Sequence, residues 1–158
     1  MAIKRGGNQE EALKRAYKFL SYRPRSEAEV RAKLGQLGFS HKSVDTTLEK
    51  LRSLRLLNDE AFARGWARGR AEGRGYGPLR IERELRQKGI AKPLISQVVK
   101  ETFGLQEGKE RARALVQKRF QRKDLSDRKV LHRAVSFLQR RGYPGSVIAE
   151  VLKLPVDE

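Results

Sequence analysis

The side chains of this sequence best suited to chemistry are its arginines and lysines, which bind anions through charge and through several N–H donors. The chain holds 36 basic and 19 acidic residues, a formal net charge of +17. The net charge is +7 for residues 1–58, +4 for 59–104 and +6 for 105–158, so it is spread along the whole chain. Such a surface predicts a polyanion, an acidic protein groove, or both as its partner.

Nine residues are candidates for contact with that partner. Arg70 and Arg74 flank the apolar stripe that Phe62 and Trp66 form on a predicted helix, where a charge either finds an anion nearby or snorkels to solvent. Tyr76 could stack on a base or pack on protein, or it is a plain turn residue. The predicted contacts are Arg70, Arg74, Tyr76, Arg80 and Arg83 in the central stretch, and Lys118, Arg119, Arg122 and Lys123 in the densest basic segment.

The sequence lacks the residue patterns of a catalytic, metal or cofactor site. Its two histidines, His41 and His132, lie far apart without metal-ligand spacing, and there is no cysteine. The glycine-rich stretch 73–77 follows no predicted strand and precedes no Gly-Lys-Ser/Thr, so it fails the test for a phosphate loop. Glu82 and Glu84 point to different faces of one predicted helix. We therefore predict no enzymatic activity and no cofactor.

The elements that must position the basic residues follow from a motif that occurs three times. A leucine is followed four residues later by a glycine and then by a large apolar residue, a pattern typical of a helix that ends in the left-handed conformation. The glycines lie 51 and 53 positions apart, and apolar residues recur at matching offsets on both sides of them. This period indicates three copies of one supersecondary unit. The motif occurs at Leu34–Phe39, Leu85–Ile90 and Leu138–Tyr143.

The predicted fold class is all-α, with three tandem three-helix repeats forming an elongated, modular chain. We place a basic N-terminal leader at residues 1–9 and the repeats at 10–57, 58–104 and 105–158. The absence of cysteine fits a reducing compartment, and the sequence shows neither a long apolar run nor a signal-peptide pattern. These observations predict a cytoplasmic protein without a membrane partner.

Local signals mark where individual helices begin. Ser26 with Glu29 three residues later has the spacing of a capping box. Asn58 can cap the next repeat's first helix, and Pro78 is suited to the first position of the helix after it. Ser126 is the predicted cap of a helix in the third repeat.

Three glycines at four-residue steps interrupt the first helix of the central repeat. Each costs about 0.5–1 kcal/mol relative to alanine in a helix interior. Either the row lets another helix approach closely, or the helix frays after Arg70. The row consists of Gly65, Gly69 and Gly73.

The central stretch resembles the signature of the bacterial RecX family. The resemblance lies in the run 59–63, in Gly-Tyr-Gly-Pro at 75–78 and in Glu-Leu-Arg-Gln-Lys-Gly-Ile at 84–90. Residues 26–34 and Arg-Arg-Gly-Tyr at 140–143 match the family's first and third repeats more loosely. Nearly the whole chain takes part in the resemblance.

The resemblance implies a regulator, mainly an inhibitor, of the RecA recombinase in recombination, DNA repair and the SOS response. Such a protein lies along the groove of the RecA–DNA filament and dampens strand exchange, ATP turnover and co-protease activity. The implied partners are the RecA filament and, more weakly and in a salt-dependent way, single- and double-stranded DNA. Two alternatives stay open: a stand-alone basic helical module that binds DNA, and a scaffold for another acidic protein.

Overall fold

The computed structural model describes residues 8–155, and all regular secondary structure in that range is helical, which confirms the all-α prediction. The predicted leader falls mostly on residues 1–7, which lie outside the described residues. Asn8 caps the first helix by accepting a hydrogen bond from the Glu11 N–H. The helices are α1 (Gln9–Tyr22), α2 (Glu27–Gln36), α3 (His41–Ser53), α4 (Asp59–Arg74), α5 (Pro78–Gln87), α6 (Lys92–Phe103), α7 (Glu107–Phe120), α8 (Arg128–Arg141) and α9 (Gly145–Val151).

The described residues divide into two compact units. The first unit holds residues 8–63 and 87–91, and the second unit holds residues 64–86 and 92–155. None of the helices in the described range is both long and apolar enough to span a lipid bilayer.

The first unit is built around the apolar faces of α1, α2 and α3. Their inward side chains recur at three- and four-residue spacing, so each helix buries one stripe against the other two. Partly buried Leu13, Phe19, Leu20 and Phe39 close the edges of this core. The fully enclosed members are Ala16, Val30, Leu34, Val44, Leu48, Leu51 and Leu57.

The predicted glycine helix ends are confirmed at all three positions. Gly38, Gly89 and Gly142 have positive φ angles of 87°, 74° and 93°. Beyond two of them the next residue's N–H reaches back to the motif leucine, from Phe39 to the Leu34 carbonyl and from Tyr143 to the Leu138 carbonyl. This bond is the hallmark of the Schellman motif, and it turns the following apolar residue onto the core.

Two of the predicted N-caps are confirmed. The Ser26 hydroxyl accepts a hydrogen bond from the Glu29 N–H at 3.2 Å, and the Asn58 side chain accepts one from the Ala61 N–H at 3.1 Å. These side chains satisfy N–H groups that the first turn of a helix leaves without partners.

The predicted cap at Ser126 is wrong, because helix α8 begins one residue later. Asp127 is the cap, and its side chain accepts a hydrogen bond from the Lys129 N–H at 2.8 Å. The Ser126 hydroxyl instead donates to the Asp124 carboxylate at 2.7 Å, which also accepts the Ser126 N–H. Local hydrogen bonding to a preceding aspartate has thus displaced Ser126 from the capping position.

The second unit has its main core between α7, α8 and α9. Phe120 and Phe137 meet edge to face there, with ring centroids 5.9 Å apart. The core also receives Leu115, Val135 and Val147 from its edges. Its buried members are Ala112, Val116, Leu138, Tyr143 and Ile148.

Within the second unit, the turn before α5 is joined to the end of α8 by backbone hydrogen bonds. The Gly77 N–H donates to the Arg141 carbonyl at 2.6 Å, and the Leu79 N–H donates to the Gly142 carbonyl at 2.9 Å. A Cβ on Gly142 would lie 2.4 Å from Arg80 Cβ, so only glycine allows this approach. The contact fixes the start of α5 beside the end of α8.

Helix α4 does not fray after Arg70 but continues to Arg74. No other part of the described chain approaches the glycine row, since a Cβ added at Gly65, Gly69 or Gly73 would meet no atom within 4 Å. Neither interpretation offered for the row therefore describes this fold, in which the glycines lie on an open face of α4.

Candidate functional site

The second unit carries a concave basic surface, which we call the basic groove, with a volume of about 1070 Å³. Residues from the end of α4, the start of α5, α7 and the end of α8 line it. Glu72 is the one acidic residue among the described side chains of this lining. The seven basic residues that line it are Arg74, Arg80, Arg111, Lys118, Arg119, Arg140 and Arg141.

Helix α7 supplies one wall of the basic groove because its two faces differ in chemistry. Ala112 and Val116 are buried in the core of the second unit. Arg111, Lys118 and Arg119 lie on the groove side, with Ala114 and Leu115 between them. Residues spaced three and four apart on a helix share a face. The sequence of α7 therefore puts these three cations on the same side of the helix as Ala114 and Leu115.

The end of α8 supplies another part of the lining. Arg141 stacks over Phe137, with its Cζ atom 5.1 Å from the ring centroid. Its guanidinium also donates a hydrogen bond to the Arg74 carbonyl at the end of α4. Cations near the last carbonyls of a helix interact favourably with its dipole, so Arg140 and Arg141 are stable where they lie.

Tyr76 lies beneath Arg80 at the floor of the basic groove. The tyrosine is 8% exposed, and Arg80 Cζ lies 3.7 Å from the centroid of its ring. Arg80 also donates to the Arg140 carbonyl at 3.2 Å. The aromatic ring is therefore covered, and the surface it helps to present to a ligand is the Arg80 guanidinium.

The predicted contact residues divide into two groups in the structure. Arg74, Tyr76, Arg80, Lys118 and Arg119 line the basic groove together. The other four, Arg70, Arg83, Arg122 and Lys123, are not part of its lining. Arg83, Arg122 and Lys123 are exposed.

Arg70 belongs to a separate cluster around Glu84. Its Cζ atom lies 4.3 Å from the Trp66 ring centroid, and its Nε atom lies 4.0 Å from the Glu84 carboxylate. The Trp66 indole N–H donates to the same carboxylate at 3.1 Å. Arg70 and Arg74 also border a shallow depression of about 300 Å³ along the glycine row.

Three groove residues, Arg111, Arg140 and Arg141, were not among the predicted contacts. Arg111 precedes Leu115 and Lys118 by four and seven positions, a spacing that puts all three on one helix face. That spacing could have identified Arg111. Nothing local to the sequence shows that Arg140 and Arg141 come to lie near Arg74, because this depends on the backbone contact between Gly77 and Arg141.

Tyr143 is a buried aromatic residue in the lining of the basic groove. It is 2% exposed, and its hydroxyl has no hydrogen-bond partner within the described part of the chain. Burial raises the pKa of Tyr143 to about 12, although the positive charges of Arg111 and Arg141 act in the opposite direction. The hydroxyl is consequently a neutral donor at any physiological pH.

The arrangement is suited to binding anions rather than to catalysis. Guanidinium groups with a planar fork of donors recognise phosphate and carboxylate oxygens, and the apolar strip can accept a sugar or an aliphatic chain. Over residues 8–155, no cluster of three or more histidine, aspartate or glutamate side chains is arranged to hold a metal ion.

Comparison with known families finds three matches in a row along the chain. Residues 12–51 match the model described as the first three-helix domain of RecX. Residues 58–99 match the second three-helix domain, and residues 106–152 match the third. The predicted arrangement of three three-helix domains in tandem is thereby confirmed.

Individual relatives agree with these matches. A protein of Corynebacterium efficiens named regulatory protein RecX is 34% identical over 94% of this chain and 73% of its own length. One from Mycobacterium sp. (strain KMS) is 35% identical over 91% of this chain and 81% of its own length. One from Geobacillus kaustophilus is 40% identical, but the chain spans only 52% of its length.

Two solved structures share the fold. The crystal structure of RecX from Lactobacillus salivarius superposes with a TM-score of 0.78 at 22% identity, covering 92% of this chain and 94% of that one. A crystal structure of regulatory protein RecX gives a TM-score of 0.75 at 29% identity, covering 92% of this chain and 71% of that one. The relatives are named as regulatory proteins, which agrees with the prediction that this chain is not an enzyme.

Proposed function

The chain belongs to the RecX family, and on that premise we propose that it regulates the RecA recombinase, mainly as an inhibitor. In the cytoplasm it binds along the groove of the RecA–DNA filament and dampens strand exchange, ATP turnover and co-protease activity. In this role it acts in recombination, DNA repair and the SOS response.

The observation that carries the proposal is the composition of the basic groove. Among the described residues, seven cations line it against a single carboxylate, Glu72. Other basic side chains of the described residues do pair with acids, as Arg64 does with Glu101 at 2.9 Å and Arg31 does with Asp45 at 2.8 Å. A concave surface with unbalanced positive charge attracts and retains an anionic partner.

Charge balance at individual groove residues supports the same conclusion. Lys118 and Arg119 make no ion pair with any described residue, and both are exposed. Arg80 approaches Glu84 only to 4.0 Å, and it is held instead by the Tyr76 ring and the Arg140 carbonyl. Tyr76 thus acts by orienting Arg80 towards the partner.

Inhibition follows from occupancy of the filament groove. A protein bound there blocks the path of incoming duplex and links neighbouring RecA subunits. Several moderate contacts on one chain reinforce one another because each raises the effective concentration of the next. The four predicted contacts outside the basic groove, Arg70, Arg83, Arg122 and Lys123, then serve as additional contacts to the filament or its DNA.

RecA-dependent ATP hydrolysis on single-stranded DNA, measured with increasing amounts of the chain, tests the proposal. We expect the wild-type chain to lower the rate and Arg74→Glu to require a much higher concentration for the same effect. Arg68→Glu is the matched control, because Arg68 is exposed on the same helix and does not line the basic groove. Raising the salt concentration should weaken inhibition steeply if DNA phosphates contribute.

Two results would contradict the proposal. One is a wild-type chain that leaves RecA ATP hydrolysis unchanged while it binds bare DNA as tightly as RecA-coated DNA, which would identify a stand-alone DNA-binding module. The other is equal inhibition by Arg74→Glu and wild type, which would remove the basic groove from the mechanism.

A further inference from the structure

We propose that the Tyr143 hydroxyl, together with Arg111 and Arg141, forms a phosphate subsite in the basic groove that binds a phosphate group of a single nucleic-acid strand. The inference rests on the proposed function, because it assumes that the basic groove is the surface that binds the RecA–DNA filament. It adds that this surface contacts DNA directly and names the donors that do so.

The first step in the argument is the state of the Tyr143 hydroxyl. A buried hydroxyl without a partner is unfavourable, and native structures rarely retain one without a reason. The residue is held in place, because its ring packs edge to face on Phe103 with centroids 6.5 Å apart and its backbone N–H donates to the Leu138 carbonyl. The hydroxyl therefore has no partner within the described core, and an acceptor that enters the basic groove can supply one.

The second step is the charge around the hydroxyl. Arg111 from α7 and Arg141 from α8 are the two cations whose charge acts on Tyr143. Both also line the basic groove, and both are partly exposed long side chains that can move aside for an entering group. Arg141 uses one N–H for the Arg74 carbonyl, which leaves most of its five donors for a ligand.

The third step identifies the chemistry of the ligand. A neutral hydroxyl and two guanidinium groups supply donors from different elements, which matches the several acceptor oxygens of a phosphate. Further cations line the same groove and can meet neighbouring phosphates of the strand. Leu115 on α7 and Phe137 on α8 add apolar surface to the lining, on which sugars and bases can pack. The further cations are Arg74, Lys118, Arg119 and Arg140.

The test is binding of the full chain to a fluorescently labelled oligothymidylate, without RecA, at low salt. Tyr143→Phe keeps the ring and removes only the hydroxyl, so we expect about a tenfold loss of affinity. The thermal unfolding midpoint of this variant should stay unchanged or rise, since an unpaired buried hydroxyl has been removed. Tyr22→Phe is the control, because Tyr22 is 73% exposed and belongs to the first unit.

The outcomes separate cleanly. Unchanged affinity in Tyr143→Phe would overturn the subsite, and so would a loss of affinity accompanied by a lower unfolding midpoint, which would indicate a structural role for the hydroxyl. Binding of polyglutamate but not of the oligonucleotide would also overturn it and assign the basic groove to an acidic protein. Tyr143-dependent displacement of the oligonucleotide by dTTP would support the phosphate chemistry and show that a free nucleotide can supply it.

Failure of this inference is distinguishable from failure of the proposed function. If Tyr143→Phe weakens oligonucleotide binding but the wild-type chain leaves RecA ATP hydrolysis unchanged, the phosphate subsite stands and the regulatory role is wrong. If the chain inhibits RecA and Tyr143→Phe binds DNA as the wild type does, the regulatory role stands and the phosphate subsite is wrong.

Discussion

The backbone N–H of Gly77 donates a 2.6 Å hydrogen bond to the carbonyl oxygen of Arg141. The first unit contains a counterpart, in which the Ser26 hydroxyl donates to the Lys88 carbonyl at 2.6 Å. Ser26 and Gly77 are 51 positions apart, and Lys88 and Arg141 are 53 apart, so equivalent positions of successive repeats make both contacts. In both contacts the acceptor is the carbonyl of the residue just before a helix-ending glycine. The donor is the residue just before a helix of the preceding repeat, α2 for Ser26 and α5 for Gly77.

In the third domain the residue that precedes the corresponding helix, α8, is Asp127, whose side chain has no donor to offer. Its side chain is a carboxylate that already caps α8, and its N–H is bonded to the Asp124 carbonyl. The same junction is thus made twice within the described residues.

Gly142→Ala should destabilise the second unit. The residue has φ of +93°, and its added Cβ would meet Arg80 Cβ at 2.4 Å and Arg80 N at 2.5 Å. We expect the free energy of unfolding to fall by about 2 kcal/mol or more, measured by urea denaturation followed by far-UV circular dichroism. Gly69→Ala is the matched control and should raise the free energy of unfolding by about 0.5–1 kcal/mol, because its Cβ would enter open space in a helix interior. Loss of stability in both variants to the same extent would contradict this account.

Ser26→Ala should lower the stability of the first unit by more than the loss of an ordinary cap. The hydroxyl both accepts the Glu29 N–H and donates to the Lys88 carbonyl, and Ser26 is fully buried. We expect a loss of about 2 kcal/mol in the free energy of unfolding, combining a lost cap with an unpaired carbonyl. Ser40→Ala, which removes an exposed cap from α3, should cost about 1 kcal/mol. Equal losses in the two variants would show that the bond to Lys88 contributes nothing.

Glu29 should make the first unit sensitive to acid. Burial alone would raise the pKa of its carboxyl group, but the hydrogen bond from Arg23 and the positive charges of Lys88 and Arg23 outweigh it and lower the pKa below the usual 4.5. A lowered pKa stabilises the fold above pH 4.5, and this contribution is lost as the pH falls through the folded-state value.

Glu29→Gln measures that contribution. At pH 7 we expect the variant to be less stable than the wild type by about 1–2 kcal/mol, since the ion pair with Arg23 at 2.6 Å is partly shielded from solvent. The difference should shrink as the pH falls below 4.5. A difference that stays constant over the acid range would indicate that Glu29 acts through packing rather than charge.

Arg55→Gly should stabilise the protein. Arg55 follows the end of α3 with φ of +59°, a conformation that strains any residue with a Cβ. Glycine should relieve about 1 kcal/mol of this strain, visible as a higher denaturation midpoint. Arg55→Ala keeps the Cβ while removing the charge and should leave the midpoint nearly unchanged; a rise as large as that of Arg55→Gly would assign the effect to charge.

The helical fold could be predicted from the sequence because its signals are local. The leucine-glycine-apolar motif fixes the ends of α2, α5 and α8, and each of its glycines has the expected positive φ. The cap of α8 was misplaced because the choice between Ser126 and Asp127 depends on a hydrogen bond to Asp124 that sequence spacing does not reveal.

The basic groove could be predicted only in part. Lys118 and Arg119 were identified by charge density within one helix, which is a local property. Arg140 and Arg141 were missed because the contact between Gly77 and Arg141 joins segments more than sixty positions apart. Arg80 covers the Tyr76 ring and is itself bonded to the Arg140 carbonyl, so part of what buries this tyrosine lies more than sixty positions away from it in the sequence.

Cosedimentation with preformed filaments of RecA on single-stranded DNA tests the central claim, that the basic groove makes the contact. Arg119→Glu and Arg113→Glu are a matched pair, since both residues are exposed on α7 and only Arg119 lines the basic groove. We predict that the wild-type chain and Arg113→Glu sediment with the filament and that Arg119→Glu stays largely in the supernatant. Equal sedimentation of the two variants would contradict the account.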